Sequence, residues 1–192
     1  MGEIVVLRVL VKNLTTPMIQ LLLPTLQRTA QQPGSDVRVV YLSSAGSKNG
    51  PPEGIAFPAL ATSMEDSPTF MRYGPSKAAN MLYASELARR YPDITSVSCH
   101  PGIIDTELST AYRSGNGFKG RAFGLVLDLL GKSLAEGALN QLWCATGKGV
   151  VSGRFYFPVG VVNAGREFLE NEELGKILWD WTEEELGKKG YV

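Results

Sequence analysis

The sequence predicts an α/β fold: three or four parallel strands in one sheet, sandwiched between helices in a three-layer arrangement. Two observations point there. Short β-branched runs alternate with segments of helical periodicity, which is the pattern of βαβ units. The 192 residues, 44% hydrophobic and 20% charged, show no internal repeat and no linker-like tract, so they read as a single domain over 1–192.

The first run, residues 4–11 (IVVLRVLV), reads as a short buried strand, although the stretch 1–17 is the least regular part of the pattern. Thr15-Thr16-Pro17 looks like a cap followed by proline in a first helical turn, with the helix reaching about residue 31 and Pro24 kinking it. A turn at 32–36 leads into a strand over 37–42 that ends at Ser43-Ser44. Residues 45–69 form a long connection, a length associated with function. A helix over 72–91 follows, with Ala78, Met81, Leu82, Ser85 and Ala88 at helical spacing. The strand 94–99 ends at His100-Pro101-Gly102, and 107–120 is irregular and glycine-rich. Ser133 and Glu136 form a capping box for a helix to about residue 145. A strand at 154–157 and a last helix capped by Asn171 complete the order, with Leu174, Ile177, Leu178 and Trp181 expected on its buried face. Right-handed crossovers would distribute these helices over both faces of the sheet.

Composition narrows the function. Lys plus Arg and Asp plus Glu both number 19, and a neutral chain argues against broad binding to nucleic acid or anionic membrane. The run 4–11 is interrupted by Arg8, lacks a cleavage site and falls well short of the ~20 residues that span a bilayer. Cys99 and Cys144 have no metal-type spacing and lie in apolar runs, as core thiols do. The expectation is a soluble, cytoplasmic protein.

The chemistry lies in Tyr73-Gly-Pro-Ser-Lys77. A spacing of four places Tyr73 and Lys77 on one helical face. A phenol titrates near 10 in isolation and exchanges protons slowly at neutral pH; moving it to near 7 requires about 4 kcal/mol of differential stabilisation. A nearby ammonium in a partly dry site supplies much of that. The phenol can then exchange a proton with a carbonyl or alcohol oxygen. Ser44 ends the neighbouring strand, on the carboxyl edge where open α/β sheets bind ligands, and its hydroxyl can hold the same oxygen.

Three segments together, Val39-Val40-Tyr41-Leu42-Ser43-Ser44-Ala45-Gly46, Arg72-Tyr73-Gly74-Pro75-Ser76-Lys77-Ala78-Ala79-Asn80 and His100-Pro101-Gly102-Ile103-Ile104-Asp105-Thr106, resemble the short-chain dehydrogenase/reductases in wording, order and distance. The ending, from Glu136-Gly137-Ala138 through Trp179 and Trp181, resembles the retinol-dehydrogenase-like branch in versions common among fungi. The resemblance covers about residues 18–192. It implies a Rossmann-type sheet. It implies that Tyr73 is the proton donor or acceptor, that Lys77 lowers its pKa and binds the nicotinamide ribose, and that Ser44 orients the substrate oxygen. Pro101, Gly102, Ile104 and Thr106 would meet the nicotinamide carboxamide and pyrophosphate. Residues 107–125, with Tyr112, Phe118 and Phe123, match the substrate loop, so a lipophilic carbonyl or alcohol is the expected substrate and NADP the expected cofactor. Relatives often pair as homodimers through the helices corresponding to 15–31 and 72–91.

The sequence also departs from the family. The G-x-x-x-G-x-G turn that holds a dinucleotide pyrophosphate at a helix N-terminus does not occur in these 192 residues, so the match is to a sheet truncated at its N-terminal side. Gly115-Asn-Gly117-Phe-Lys-Gly120 fits G-x-G-x-x-G by letter only, without the strand before it that gives the fingerprint meaning. The family's catalytic asparagine falls near Val11, leaving Asn13 out of register, and the only histidine, His100, reads as a packing residue. Two alternatives to a reductase therefore remain open at this level: a cofactor-independent acid–base enzyme (isomerase, dehydratase or cyclase) and an inactive shortened homologue.

Overall fold

The computed structural model describes residues 15–49, 55, 57, 69–104, 117, 120–121, 124–125, 131–163, 171–188 and 190. The strand expected at 4–11, Asn13, Thr106 and most of the 107–125 loop lie outside the described residues. Helix α1 (Thr15–Ala30) runs through Pro24 and leads to β1 (Arg38–Leu42). A 3-10 turn (Ala45–Asn49) precedes α2 (Thr69–Arg90), which leads to β2 (Thr95–Cys99). Then come α3 (Leu134–Thr146), β3 (Phe155–Tyr156) and α4 (Glu172–Lys188).

The strands pair in parallel in the order β1-β2-β3. Arg38 stands opposite Thr95 and Leu42 opposite Cys99, while Ser98 and Cys99 stand opposite Phe155 and Tyr156. Alternation along the strands sorts the core. Val39 and Tyr41 pack with Ile19 and Leu23 of α1, Tyr83, Ala84 and Leu87 of α2, and Trp179 of α4. Val97, Cys99 and Tyr156 face the other way, onto Trp143 and Cys144 of α3. Both cysteines are free and buried, as their apolar contexts predict.

The three layers are thus present, but by a different route from the one expected. With strands laid down in spatial order, two right-handed crossovers would put α2 and α3 on the same face. They lie on opposite faces, so one of the two crossovers has the opposite hand. Arg38 helps to hold α3 there. Its guanidinium forks onto Asp36 with two contacts of 2.7 Å and donates to the carbonyls of Cys144 (3.2 Å) and Gly147 (2.9 Å) at the end of α3. Cations are favoured at that pole of a helix.

Two boundaries and one buried face shift. Helix α2 begins at Thr69, so Tyr73 sits in its second turn rather than at its opening; Pro75, which suits a first turn, lies inside the helix. Strand β3 spans only Phe155–Tyr156, because the chain turns back at Pro158 and Val162 forms an antiparallel bridge to Tyr156. On α4 the buried stripe is Leu174, Leu178, Trp179, Thr182 and Leu186, and Ile177 is exposed. Trp181 is partly buried against Phe57, with ring centres 6.5 Å apart.

Trp179 joins α4 to α2. Its ring stacks on Tyr83 at 4.6 Å and 15°, and the Arg90 guanidinium sits 4.8 Å from the ring centre. Arg90 is held by Glu86 at 2.7 Å and by Asp180 at 3.0 Å. Among the described residues, no helix is long and apolar enough to cross a membrane, and no cluster of three His, Cys, Asp or Glu side chains could hold a metal. Trp179→Ala is expected to cost about 3–5 kcal/mol of unfolding free energy, and Ile177→Ser about 0.5 kcal/mol or less. Urea titration of both variants checks the contrast.

Candidate functional site

The hydrogen-bond phase of β1 determines what its end can do. Val37 accepts from Thr95 N–H, and Ser43 N–H donates to Cys99, so alternate residues 37 to 43 address β2. The backbone groups of Arg38, Val40 and Leu42 therefore point away from β2, to the side of β1 where no strand among the described residues lies. The Leu42 carbonyl on that side accepts from Lys77 Nζ at 3.2 Å and from Asn80 Nδ2 at 3.0 Å. One residue on, the buried Ser43 Oγ donates to the Lys77 backbone carbonyl at 2.7 Å. The end of β1 and the middle of α2 are thereby locked together.

That lock brings Ser44, Tyr73 and Lys77 to one place. Lys77 Nζ lies 5.6 Å from the centre of the Tyr73 ring. Burial lowers the Lys77 pKa below its ordinary value. Ser44 is buried, and its Oγ accepts from Gly46 N–H at 3.0 Å. Gly46 separates Ser44 from the phenol: a Cβ there would stand 3.1 Å from Tyr73 Cε1 and 3.3 Å from Ser44 Oγ. The missing side chain is what admits the ring beside the serine. Ser76 Oγ donates to the Tyr73 carbonyl at 2.7 Å, inside the turn that follows the ring.

Pro101 and Gly102 follow β2 at the same carboxyl end of the sheet. Gly102 holds φ +96°, which a side-chain-bearing residue rarely adopts, and a Cβ there would meet only the stem of Lys132, at 3.7 Å. Ile104 is turned toward α3: its side chain occupies the space over Gly137 that any Cβ would need, and its backbone bridges to Lys132. Asn140 of α3, buried, donates to the carbonyls of His100 (2.8 Å) and Tyr156 (2.9 Å), tying the ends of β2 and β3 to the helix. Sequence reasoning passed over Asn140; its signal was an amide in the apolar run Leu139-Asn140-Gln141-Leu142-Trp143. His100 packs its ring 4.6 Å from Phe157, and burial lowers its pKa to about 4.

An oxidoreductase of Schizosaccharomyces pombe is 42% identical to this chain over 139 residues, 66% of the chain and 38% of that protein. The Aspergillus calidoustus short-chain dehydrogenase/reductase drtF is 30% identical over 194 residues, 92% of the chain and 58% of the relative. The chain belongs to the short-chain dehydrogenase/reductase family. It spans about half the length of the curated family members it matches. The crystal structure of the KRED1-Pglu enzyme has the same fold, with a TM-score of 0.50 and 18% identity over 72% of this chain and 52% of that one. No protein-family model matches the chain. The Rossmann-type parallel sheet expected of a short-chain dehydrogenase/reductase is the α/β architecture observed among the described residues.

His100 yields a pH prediction. Its folded pKa, about 4, lies below the unfolded value near 6.5, so the unfolded chain takes up the proton first. Stability is therefore full above pH 6.5 and falls as the pH drops toward 4, by roughly 3 kcal/mol at the lower end. The chain has one histidine, so its imidazole C2 proton can be followed directly by NMR. That resonance should titrate near pH 4 in the folded protein, and His100→Leu should flatten the stability loss over that interval.

Proposed function

We propose that this chain, as one Rossmann-type domain, carries the proton-transfer centre of an oxidoreductase that interconverts a ketone and an alcohol with NADP(H). The observation that carries the reading is the convergence of Tyr73, Lys77 and Ser44 at the carboxyl ends of parallel strands, with Lys77 Nζ 5.6 Å from the phenol ring. In the reducing direction the Tyr73 hydroxyl gives its proton to the carbonyl oxygen, which Ser44 Oγ holds in place. The Lys77 ammonium stabilises the phenolate left behind. In the oxidising direction the phenolate takes the alcohol proton back. The nicotinamide, when bound, supplies or accepts the hydride that balances each proton.

The residues present suit the nicotinamide-ribose part of that cofactor. Lys77 offers an ammonium to ribose hydroxyls, and the Gly102 turn presents bare backbone at the carboxyl end of β2. Pro101, Gly102, Ile104 and Thr106 would hold the carboxamide and pyrophosphate. The choice of NADP over NAD follows from the family branch the sequence resembles. The loop 107–125, with Tyr112, Phe118 and Phe123, favours a lipophilic carbonyl or alcohol. Homodimer formation through α1 and α2 agrees with the exposed Met18, Leu21 and Leu22 on α1. A cytoplasmic location agrees with two free thiols.

The test is NADPH binding and turnover of a panel of lipophilic ketones by the purified chain. Tyr73→Phe should lower kcat/KM by about 10²- to 10⁴-fold and leave NADPH binding in place. Saturable NADPH binding is required by this reading. Substrate conversion without it, still dependent on Tyr73, would instead establish a cofactor-independent acid–base enzyme. Neither binding nor turnover would indicate an inactive homologue.

A further inference from the structure

We propose that Lys132 is a cofactor-binding residue: its ammonium takes the pyrophosphate of the nicotinamide dinucleotide where that group lies against the Gly102 turn. The proposal rests on the reductase reading given above, in which Pro101, Gly102, Ile104 and Thr106 hold the carboxamide and pyrophosphate.

Three observations lead to it. The first is placement. The Lys132 N–H donates to the Ile103 carbonyl at 2.8 Å, and Lys132 forms a parallel bridge with Ile104. Its backbone is thus fastened to the segment that leaves β2. The second is the course of the side chain. The stem passes the open side of Gly102, with Cδ 3.7 Å from the point where a Cβ on that glycine would stand, and no other described residue is recorded within 4 Å of that point. The ammonium is one methylene further on. The third is charge. Lys132 is exposed, and among the described residues its ammonium has no ion-pair partner. Glu136, the carboxylate that feels its charge, is engaged in the cap of α3. Its Oε2 accepts from the Ser133 N–H at 2.9 Å and from Ser133 Oγ at 2.8 Å, and these bonds lower its pKa more than Lys132 does. By contrast, the guanidinium groups of Arg38, Arg89 and Arg90 are all held by carboxylates.

A pyrophosphate is recognised by cations and by backbone that it can approach closely. A turn built on a glycine with φ +96° gives the close approach. The lysine carried past that turn gives the charge. Lysine suits the task because it is a point charge on a flexible stem and follows a phosphate oxygen without a fixed fork geometry.

The experiment follows NADPH binding through the cofactor's fluorescence, with no substrate present. Lys132→Met keeps the stem and the backbone clasp and removes the charge. It should weaken NADPH binding about fivefold, and Lys132→Arg should restore most of the loss. The deficit of Lys132→Met should shrink as salt is raised. Lys176→Met removes the same charge from the exposed side of α4, near the far end of α2 where Glu172 pairs with Arg89, and should leave binding unchanged. In a second readout, lysines are ¹³C-dimethylated and the Lys132 resonance, assigned with Lys132→Arg, is followed by NMR as inorganic pyrophosphate is added; it should shift while that of Lys176 stays in place. Unchanged NADPH affinity in Lys132→Met, beside a wild type that binds, overturns the proposal, as does an equal loss in Lys176→Met. A defect confined to the KM of ketones that carry a carboxylate also overturns it, by assigning the ammonium to the substrate. A wild type that binds no NADPH refutes the reductase reading, and pyrophosphate then decides the site: a shift of Lys132 alone keeps it as a phosphate-binding residue, and no shift overturns that as well.

Discussion

The junction between the end of β1 and the middle of α2 is the constraint on which the site depends. Ser43 ties its hydroxyl to the Lys77 carbonyl, and Leu42 ties its carbonyl to the Lys77 and Asn80 side chains. The proton-transfer centre proposed above needs its groups held to fractions of an ångström. Here the strand that supplies the serine and the helix that supplies the phenol and the ammonium are bonded to each other within a few residues of all three. The residues of the motif are thus also the fasteners of the scaffold beneath it, and a change at Ser43 or Asn80 would disturb geometry rather than remove chemistry.

The remaining elements serve that junction at a distance. α2 is held from behind by Trp179, wedged between Tyr83 and Arg90, and this keeps the helix pressed to the sheet. On the opposite face α3 is pinned at its C-terminus and at its middle: Arg38 takes the carbonyls at the C-terminal end, and Asn140 takes the strand-end carbonyls of His100 and Tyr156. The second set fixes the departure of the Pro101-Gly102 turn. The two edges that bound the site, the serine strand and the glycine turn, are therefore set by polar contacts to different helices, with the apolar core supplying bulk cohesion between them.

Much of this was legible in the sequence, for identifiable reasons. Capping chemistry is local, so the Ser133–Glu136 box and the Asn171 cap stand where they were read. Alternation and helical spacing are local too, and they located the three described strands and placed Tyr73 and Lys77 on one face. What escaped was set by tertiary contact. Pro75 suggested a helix opening because local preference favours proline in a first turn, whereas packing extends α2 back to Thr69. Ile177 and Trp179 are two residues apart, and which one turns inward depends on where Tyr83 and Arg90 lie. The hand of the two crossovers cannot be read from periodicity at all, and the partners of Asn80 and Asn140 are carbonyls of distant segments with no signature in the linear pattern.

The central claim is that the Lys77 ammonium acts electrostatically on the Tyr73 phenol. The pH profile of alcohol oxidation in wild type and in Lys77→Met, at saturating cofactor and substrate, addresses it most directly. Removal of the cation should displace the rise of the rate to higher pH, with the plateau still approached in strong base. A Lys77→Met enzyme whose rate rises over the same pH interval as wild type would contradict the account.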